Sequence, residues 1–294
     1  MNKVKTTYAI LWIGSLMLAA LIVIGFTFTG TDSLFVSNLW LLILILALLS
    51  AFCEYVDNSI GMGYGTVMFP VLLVLGLPRQ EIVPALLTAQ MIAGICGGIA
   101  HHREGNVNIR SDKNIHKALW ILGIPSFAGA VIAAVLGIKL KDRGEFYLNM
   151  YIGIMIASIG LFLICRNYIR KLQQVSRPGM ARLVLLGLLA SFNKGVSGGG
   201  YGPLMMGGQV FAGVCSKDAI VITNLCESFT CLVALVAYIL LGGTLNIACT
   251  AALCAGSLLT VIPAAKTVKI MSGTKLKHAI GWMTFFLGLI ILCK

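Results

Sequence analysis

Charged residues are scarce in this chain of 294 residues, where they make up 11% of all positions. Soluble domains carry about 25%, and the mean hydropathy of +0.95 excludes a soluble globular protein. Apolar runs such as Leu183 to Phe192 and Ala219 to Leu241 lack the alternation of a β-barrel. A helix that spans a bilayer needs about 20 such residues. The sequence therefore predicts an all-α polytopic membrane protein.

Two catalytic motifs are also missing. No G-x-x-x-x-G-K-[ST] sequence is present, which excludes a P-loop ATPase. The nine cysteines include no C-x-x-C pair and lie scattered through apolar segments, as buried thiols do. Cys226 with Cys231, and Cys249 with Cys254, are spaced so that a helix turns them apart by roughly 140°, which argues against a thiol oxidoreductase. We expect no enzyme activity, no cofactor and no metal.

Acidic residues are few, and the formal net charge is +12. The basic residues lie mostly in short loops between apolar segments, which indicates membrane topology rather than nucleic-acid binding. A cytoplasmic N-terminus at a cell (inner) membrane places the Arg166–Arg182 and Lys266–Lys277 loops inside, although Lys139–Arg143 then falls outside. The first apolar segment, Tyr8–Phe28, is predicted to be a retained transmembrane helix, because its core is too long for a signal peptide.

What the chain does contain is an internal repeat. The sequence GYG at Gly63–Gly65 recurs at Gly200–Gly202, and with a slip of one residue Pro125 matches Pro263. A match sustained along much of both halves indicates duplication. We predict one integral membrane domain in three parts: an N-terminal helix in residues 1–36, a first repeat in 37–170 and a second repeat in 171–294.

Each predicted repeat has a glycine-broken pair of segments followed by three long helices. A broken pair adds an even number of membrane crossings, so each repeat makes an odd number and the two repeats face opposite ways. Inverted repeats with interrupted helices are typical of secondary transporters. The predicted segments are Leu39–Asn58 with Gly65–Gly76, Val83–His101, Lys117–Ile138 and Phe146–Cys165, then Leu183–Val196 with Tyr201–Phe211, Asp218–Leu241, Ile247–Val261 and His278–Cys293.

The glycine-rich breaks predict a binding site. Unwound backbone at membrane depth is tolerated where it is packed in protein or lines a cavity. Half-helices that begin near Tyr64 and Tyr201 would point free N–H groups at a shared centre, which suits an anion. Tight helix packing is the alternative explanation for the glycines. The predicted substrate-binding residues are Asn58, Gly61, Gly63, Tyr64, Gly65, Lys194, Ser197, Gly198, Gly199, Gly200, Tyr201 and Gly202.

Charged residues inside the apolar segments add a second prediction. The repeat offset places Asp57 opposite Lys194, so the two could pair as a structural bridge, or Lys194 could stay free and attract an anion. Glu54 and Glu227, with Gln90 at the position equivalent to Glu227, are candidates for proton coupling or for hydrogen-bonded structural roles.

Other polar residues receive lesser roles. Asn224, like Asn58, is predicted to line the cavity, together with Thr88 and Asn193. His101 and His102 are expected to lie solvated at the membrane interface, beside Arg103.

The first break, EYVDNSIGMGYGTVMFP from Glu54, and the second, NKGVSGGGYGPLMMGGQ from Asn193, resemble the paired motifs of the TauE/SafE sulfite exporter family. The first departs from the family pattern at Met62, where a fuller glycine run is usual, and has Thr66 where the second has Pro203. The resemblance implies an inner-membrane permease that exports small anions, including sulfite and organosulfonates. Its expected partners are a small anionic substrate and the lipid bilayer, without nucleic acid, and an oligomer is compatible with it. A membrane scaffold or assembly subunit and a cation carrier are the alternatives.

Overall fold

A computed structural model of the protein describes residues 39–109, 111–139, 180–197, 199–211, 214 and 216–268, with isolated positions in 147–165 and 282–292. The continuous described ranges contain eight helices. They are α1 (Leu39–Ile60), α2 (Tyr64–Val74), α3 (Arg79–Arg103), α4 (Lys113–Lys139), α5 (Met180–Ser197), α6 (Tyr201–Phe211), α7 (Ser216–Leu240) and α8 (Ile247–Thr267).

Five stretches within these helices are long and apolar enough to cross a membrane: Trp40–Ile60, Arg79–Arg103, Ile115–Ala133, Lys217–Leu240 and Ile247–Thr267. The prediction of an all-helical protein with several spans is therefore confirmed for the described residues. The predicted helix Tyr8–Phe28 lies outside them, and so do most of the predicted segments Phe146–Cys165 and His278–Cys293.

The two short helices match the predicted half-helices closely. α2 and α6 contain 11 residues each, which at about 1.5 Å per residue is too short to cross a bilayer. α2 begins after Gly63, whose φ of 141° suits glycine, and the turn that follows it contains Gly76 at φ 84°. Glycine thus separates α2 from the long helices on either side.

Several predicted helix bounds were wrong. α4 begins at Lys113 instead of Lys117, and the start of α3 and the end of α8 were misplaced as well. α3 begins at Arg79 instead of Val83, because the polar residues before Val83 form its first turn, where Glu81 is favourable for the helix dipole. α8 continues to Thr267 instead of ending at Val261, and it includes Pro263. In both cases the prediction ended the helix at polar residues or at a proline, although the helix includes these residues.

The helix bounds repeat along the chain. α2 and α6 begin at Tyr64 and Tyr201, and α3 and α7 begin at residues 79 and 216 and have 25 residues each. Both pairs share the separation that relates Gln90 to Glu227, which is 137 residues. The internal similarity of the sequence is therefore accompanied by a matching series of helices in the described ranges.

The helices of the two halves pack in equivalent pairs. α4 packs on α5, and the equivalent helices α8 and α1 also pack on each other. Likewise, α3 packs on α8, and the equivalent helices α7 and α4 pack on each other. The α3 and α7 helices, which occupy matching places in the two halves, pack on each other. The pattern of helix contacts is therefore unchanged when the two halves are exchanged.

Candidate functional site

The two glycine-rich breaks touch each other in the buried part of the described structure. A Cβ atom added at Gly199 would lie 2.4 Å from the carbonyl oxygen of Gly65, and one added at Gly202 would lie 2.9 Å from that of Gly61. Real Cβ atoms essentially never come closer than 3.0 Å to such an atom. Gly200 has a φ of 77°, which side-chain-bearing residues rarely adopt. Glycine at these positions therefore allows backbone from one break to touch backbone from the other.

The backbone N–H at the start of α2 is hydrogen-bonded to a side chain of the protein. Tyr64 N donates a hydrogen bond of 3.2 Å to Asp57 Oδ1, and the Asp57 side chain is buried. This carboxylate lies at the positive end of the helix dipole, where a negative charge is stabilised. The expectation that Tyr64 offers its N–H to a ligand is therefore wrong for this arrangement, because Asp57 already accepts that bond.

Lys194 forms the ion pair of the site, with Glu227 as its partner. Its ammonium is fully buried and donates a hydrogen bond of 2.8 Å to Glu227 Oε1 and a second bond to Gln90 Oε1. Gln90 Nε2 in turn donates to Glu227 Oε1 at 3.1 Å. The pairing of Lys194 with Asp57 that the repeat offset suggested is therefore replaced by a pairing with Glu227 on α7.

A second buried group of polar residues connects α1 to α7. Asn58 Nδ2 donates to Glu54 Oε1, and Asn224 Nδ2 donates to Asn58 Oδ1 at 2.8 Å. Gly97 of α3 makes room for this group, since a Cβ there would lie 2.1 Å from Asn58 Oδ1. Two acceptor atoms of the group, Glu54 Oε2 and Asn224 Oδ1, are buried without a hydrogen bond from any described residue.

The prediction for His101 was wrong, because this residue is fully buried and not solvated. Its Nε2 donates to the carbonyl oxygen of Asn58 at 3.0 Å, and Asn106 Nδ2 donates to its Nδ1 at 3.0 Å. One donating and one accepting nitrogen describe a neutral imidazole ring. His102, one residue further along the helix, is half-buried, so the expectation of solvent contact fits His102 better than His101.

Sequence reasoning missed Ser50. Tyr64 and Ser50 share a hydrogen bond of 2.8 Å between their hydroxyl groups, and Ser50 Oγ donates to the carbonyl oxygen of Leu253 at 2.6 Å. Since the single Ser50 proton is used for Leu253, Tyr64 is the donor of the first bond. A lone serine in an apolar helix gives no sequence signal of this role.

The remaining predicted residues fall into three groups. Gly61 and Gly63 of the first break and Tyr201 of the second are buried around the contact between the breaks. Ser197 is the last residue of α5, and Gly198 lies outside the described residues. Of the lesser candidates, Thr88 bonds the backbone of its own helix, and Asn193 accepts a hydrogen bond from Tyr151.

The chemistry of the site is dominated by buried charge. Glu54, Asp57 and Glu227 carry three carboxyl groups, and Lys194 carries the ammonium that pairs with one of them. In the part of the chain that the structure describes, no group of three or more His, Cys, Asp or Glu residues is placed to hold a metal ion. Ionisable residues inside membrane-spanning segments are costly and usually functional, so this cluster is the candidate site.

Comparisons with known proteins agree with this description. Residues 45–291 match the family model described as "Sulfite exporter TauE/SafE". The "Probable membrane transporter protein YtnM" of Bacillus subtilis (strain 168) is 24% identical over 164 residues, which cover 55% of this chain. The matched part covers 52% of that relative, so the chain spans about half of the relative's length. No solved structure matches the chain.

The family model covers both glycine-rich breaks and all but the first residues of the five described stretches that can span a membrane. The family is one of membrane transporters, and the described helices are those of a multi-pass membrane protein. The chain belongs to the sulfite exporter TauE/SafE family.

Proposed function

We propose that this protein is a secondary transporter that exports small sulfur-containing anions, such as sulfite or organosulfonates, by alternating access between two inverted repeats. The family description names sulfite, and we extend that substrate class to this chain. We further propose that it lies in the inner membrane with a cytoplasmic N-terminus.

The observation that carries the proposal is the position of Lys194. Its ammonium is fully buried. Lys194 lies four residues before Gly198 in the sequence, next to the second break, which touches the first. An ammonium group has three N–H donors, and Gln90 and Glu227 accept from it. The third donor is then the group that an anion would engage, and desolvation strengthens such a charge-assisted bond.

The start of α6 supports the same location. Lys194 occupies the position equivalent to Asp57, but an ammonium has no lone pair and cannot accept a bond from the N–H of Tyr201. In our proposal the substrate anion takes the place that Asp57 takes at Tyr64, at the positive end of the α6 dipole. Glycines on both sides let the backbone approach this anion closely.

Alternating access then follows from the paired contacts between the halves. The equivalent contacts α1–α8 and α4–α5 would give two arrangements of similar energy that open to opposite sides, as in other transporters with inverted repeats. Inversion of the second half is part of this proposal, together with its boundaries at residues 37–170 and 171–294.

A flux panel tests the proposal. Purified protein in proteoliposomes is loaded with sulfite, sulfate, thiosulfate, sulfoacetate or a carboxylate control, and efflux is measured. We expect sulfur anions to move and Lys194→Ala to lower their flux about 100-fold or more, as loss of a buried charge-assisted contact predicts. Lys266→Ala, at an exposed lysine of α8, is the matched control. A wild-type protein that moves none of the sulfur anions would overturn the proposal.

The double variant Lys194→Ala/Glu227→Gln separates loss of the anion contact from loss of folding. It removes the ammonium without leaving a buried charge unpaired, so it should keep the monodisperse elution of the wild type on size-exclusion chromatography. We expect it to remain inactive. Wild-type flux in the folded double variant would show that Lys194 does not bind the anion.

A cation carrier is the second candidate, because the buried cluster holds three carboxyl groups and one ammonium. Such an excess of negative charge is typical of cation pathways. Adding Na⁺, K⁺ and Mg²⁺ to the same panel decides between the two. Cation flux that survives Lys194→Ala, without flux of any sulfur anion, would favour this second function.

A further inference from the structure

The three buried carboxyl groups of the site are stabilised unequally. Glu227 pairs with the ammonium of Lys194, and Asp57 accepts the N–H of Tyr64 at the positive end of the α2 dipole. Glu54 has neither a cation nor a helix end, since its contact is the neutral amide of Asn58. The ionised form is therefore least stabilised at Glu54.

The polar group around Glu54 has more hydrogen-bond acceptors than donors. The amide of Asn224 donates to Asn58, and the amide of Asn58 donates to Glu54. Glu54 Oε2 and Asn224 Oδ1 are left without a described donor. Both side chains are more than nine-tenths buried, with exposed fractions of 2% and 3%. A proton on Glu54 removes one of these orphan acceptors and turns it into a donor.

The ionisable groups around Glu54 do not offset a negative charge there. Asp57 on its own helix and Glu227 on α7 both repel an ionised Glu54, whereas Lys194 on α5 attracts it but already pairs with Glu227. His101 on α3 is a neutral ring by its hydrogen bonds. The hydroxyl of Tyr64 on α2 and the thiols of Cys53, Cys231 and Cys254 are the other titratable groups around this part of the cluster.

A polar route joins this group to the end of α3. The carbonyl of Asn58 bonds His101, His101 bonds Asn106, and Asn106 also donates to Ala265 O at 2.8 Å. Asn106 is half-buried and its neighbour Gly105 is exposed. Water at that end of the protein is therefore separated from Glu54 by a short series of hydrogen-bonded groups.

We propose that Glu54 carries the coupling proton of the transport cycle, with Asn58 and Asn224 linking its protonation state to α7. This inference rests on the proposed function and names the residue that couples it to a proton gradient. In the arrangement described here the proton is bound at Glu54 Oε2. Its loss would leave a buried negative charge beside Asp57 and Glu227, and that repulsion would favour the alternative arrangement of the repeats.

The test compares the wild type with Glu54→Gln and with Glu104→Gln, which makes the same chemical change at the end of α3 outside the cluster. Proteoliposomes contain a pH-sensitive dye, and sulfite flux and proton movement are measured together. We expect Glu54→Gln to lower the number of protons moved per sulfite by about tenfold or more. Glu104→Gln should keep the wild-type ratio. A wild-type ratio in Glu54→Gln, or sulfite flux without protons in the wild type, would overturn the inference.

Infrared spectroscopy provides a readout that needs no substrate. A protonated carboxyl group has a C=O stretching band that an amide and an ionised carboxylate lack. We expect this band at neutral pH in the wild type and in Glu104→Gln, and its loss in Glu54→Gln. Identical spectra of the three proteins would contradict a protonated Glu54. If the wild type moves no sulfur anion, the proposed function fails, and this band still decides whether Glu54 holds a proton.

Discussion

The first and second breaks have the same backbone plan but opposite charge chemistry. α2 and α6 have equal lengths and begin at Tyr64 and Tyr201. Before the first, Asp57 accepts the N–H that starts the helix, whereas Lys194 at the equivalent position is a donor and bonds Gln90 and Glu227 on long helices. The helix bounds of the two breaks match, but an acceptor at the start of α2 corresponds to a donor at the start of α6. In our proposal this difference lets the second break bind an anion.

The same contrast extends to the long helices. Gln90 on α3 and Glu227 on α7 are equivalent positions that touch each other where these two helices pack together. One is neutral and the other is acidic, so the lysine of the second repeat finds its counter-charge within that repeat. Glu54 has Ser191 at the equivalent position, and the acid therefore belongs to the first half alone. Each half contributes a different part of the proposed cycle.

The largest expected effect concerns the ion pair of the second break. Lys194→Ala leaves Glu227 buried without its cation, which should lower the free energy of unfolding by about 3–5 kcal/mol. Lys194→Ala/Glu227→Gln should recover most of that loss, because no uncompensated charge remains. Thermal unfolding in detergent measures both variants. If Lys194→Ala were as stable as Lys266→Ala, the buried pair would not stabilise the protein.

A smaller effect is expected where the two breaks touch. Gly199→Ala places a Cβ atom 2.4 Å from the backbone oxygen of Gly65, so the backbone of one break must shift, at a cost of about 1–3 kcal/mol. Gly123→Ala on α4 is the matched control, since nothing lies within 4 Å of its added Cβ. The control should gain up to about 1 kcal/mol from helix propensity. Equal melting temperatures for the two variants would contradict the contact.

The smallest effect is expected at the cap of the first break. Asp57→Ala removes the acceptor for Tyr64 N and should lower the free energy of unfolding by about 1 kcal/mol. Asp57→Asn keeps a side-chain oxygen at the same place, so it should lower the free energy of unfolding by less than Asp57→Ala does. Denaturant or thermal unfolding of the two variants measures the difference. If both lose the same amount, charge rather than the hydrogen bond matters at this position.

Features that depend on short stretches of sequence were predicted well. The half-helix Tyr201–Phe211 has the bounds that were predicted, and α2 starts one residue before the predicted Gly65. Glycine breaks and the length of an apolar run are local properties, so they can be read without knowledge of the fold. The family motifs are local in the same sense, and the match to residues 45–291 confirms the resemblance.

The partners of the polar residues could not be predicted in the same way. His101 was expected in solvent, but α3 continues to Arg103 and turns this residue toward Asn58. Ser50 gave no signal because its role depends on α8, which lies 203 residues further along the chain at Leu253. The choice between Asp57 and Glu227 as the partner of Lys194 likewise depends on which helix packs beside α5.

The sequence alone determined that the protein is a helical membrane protein with two glycine-broken segments and buried charges, because hydrophobic length and backbone freedom act over one helix. Tertiary structure alone decided which charges meet, since hydrogen bonds and ion pairs are made at about 3 Å between helices that are far apart in the chain. The contact of the breaks, the Lys194–Glu227 pair and the isolation of Glu54 follow from the packing of two similar halves against each other.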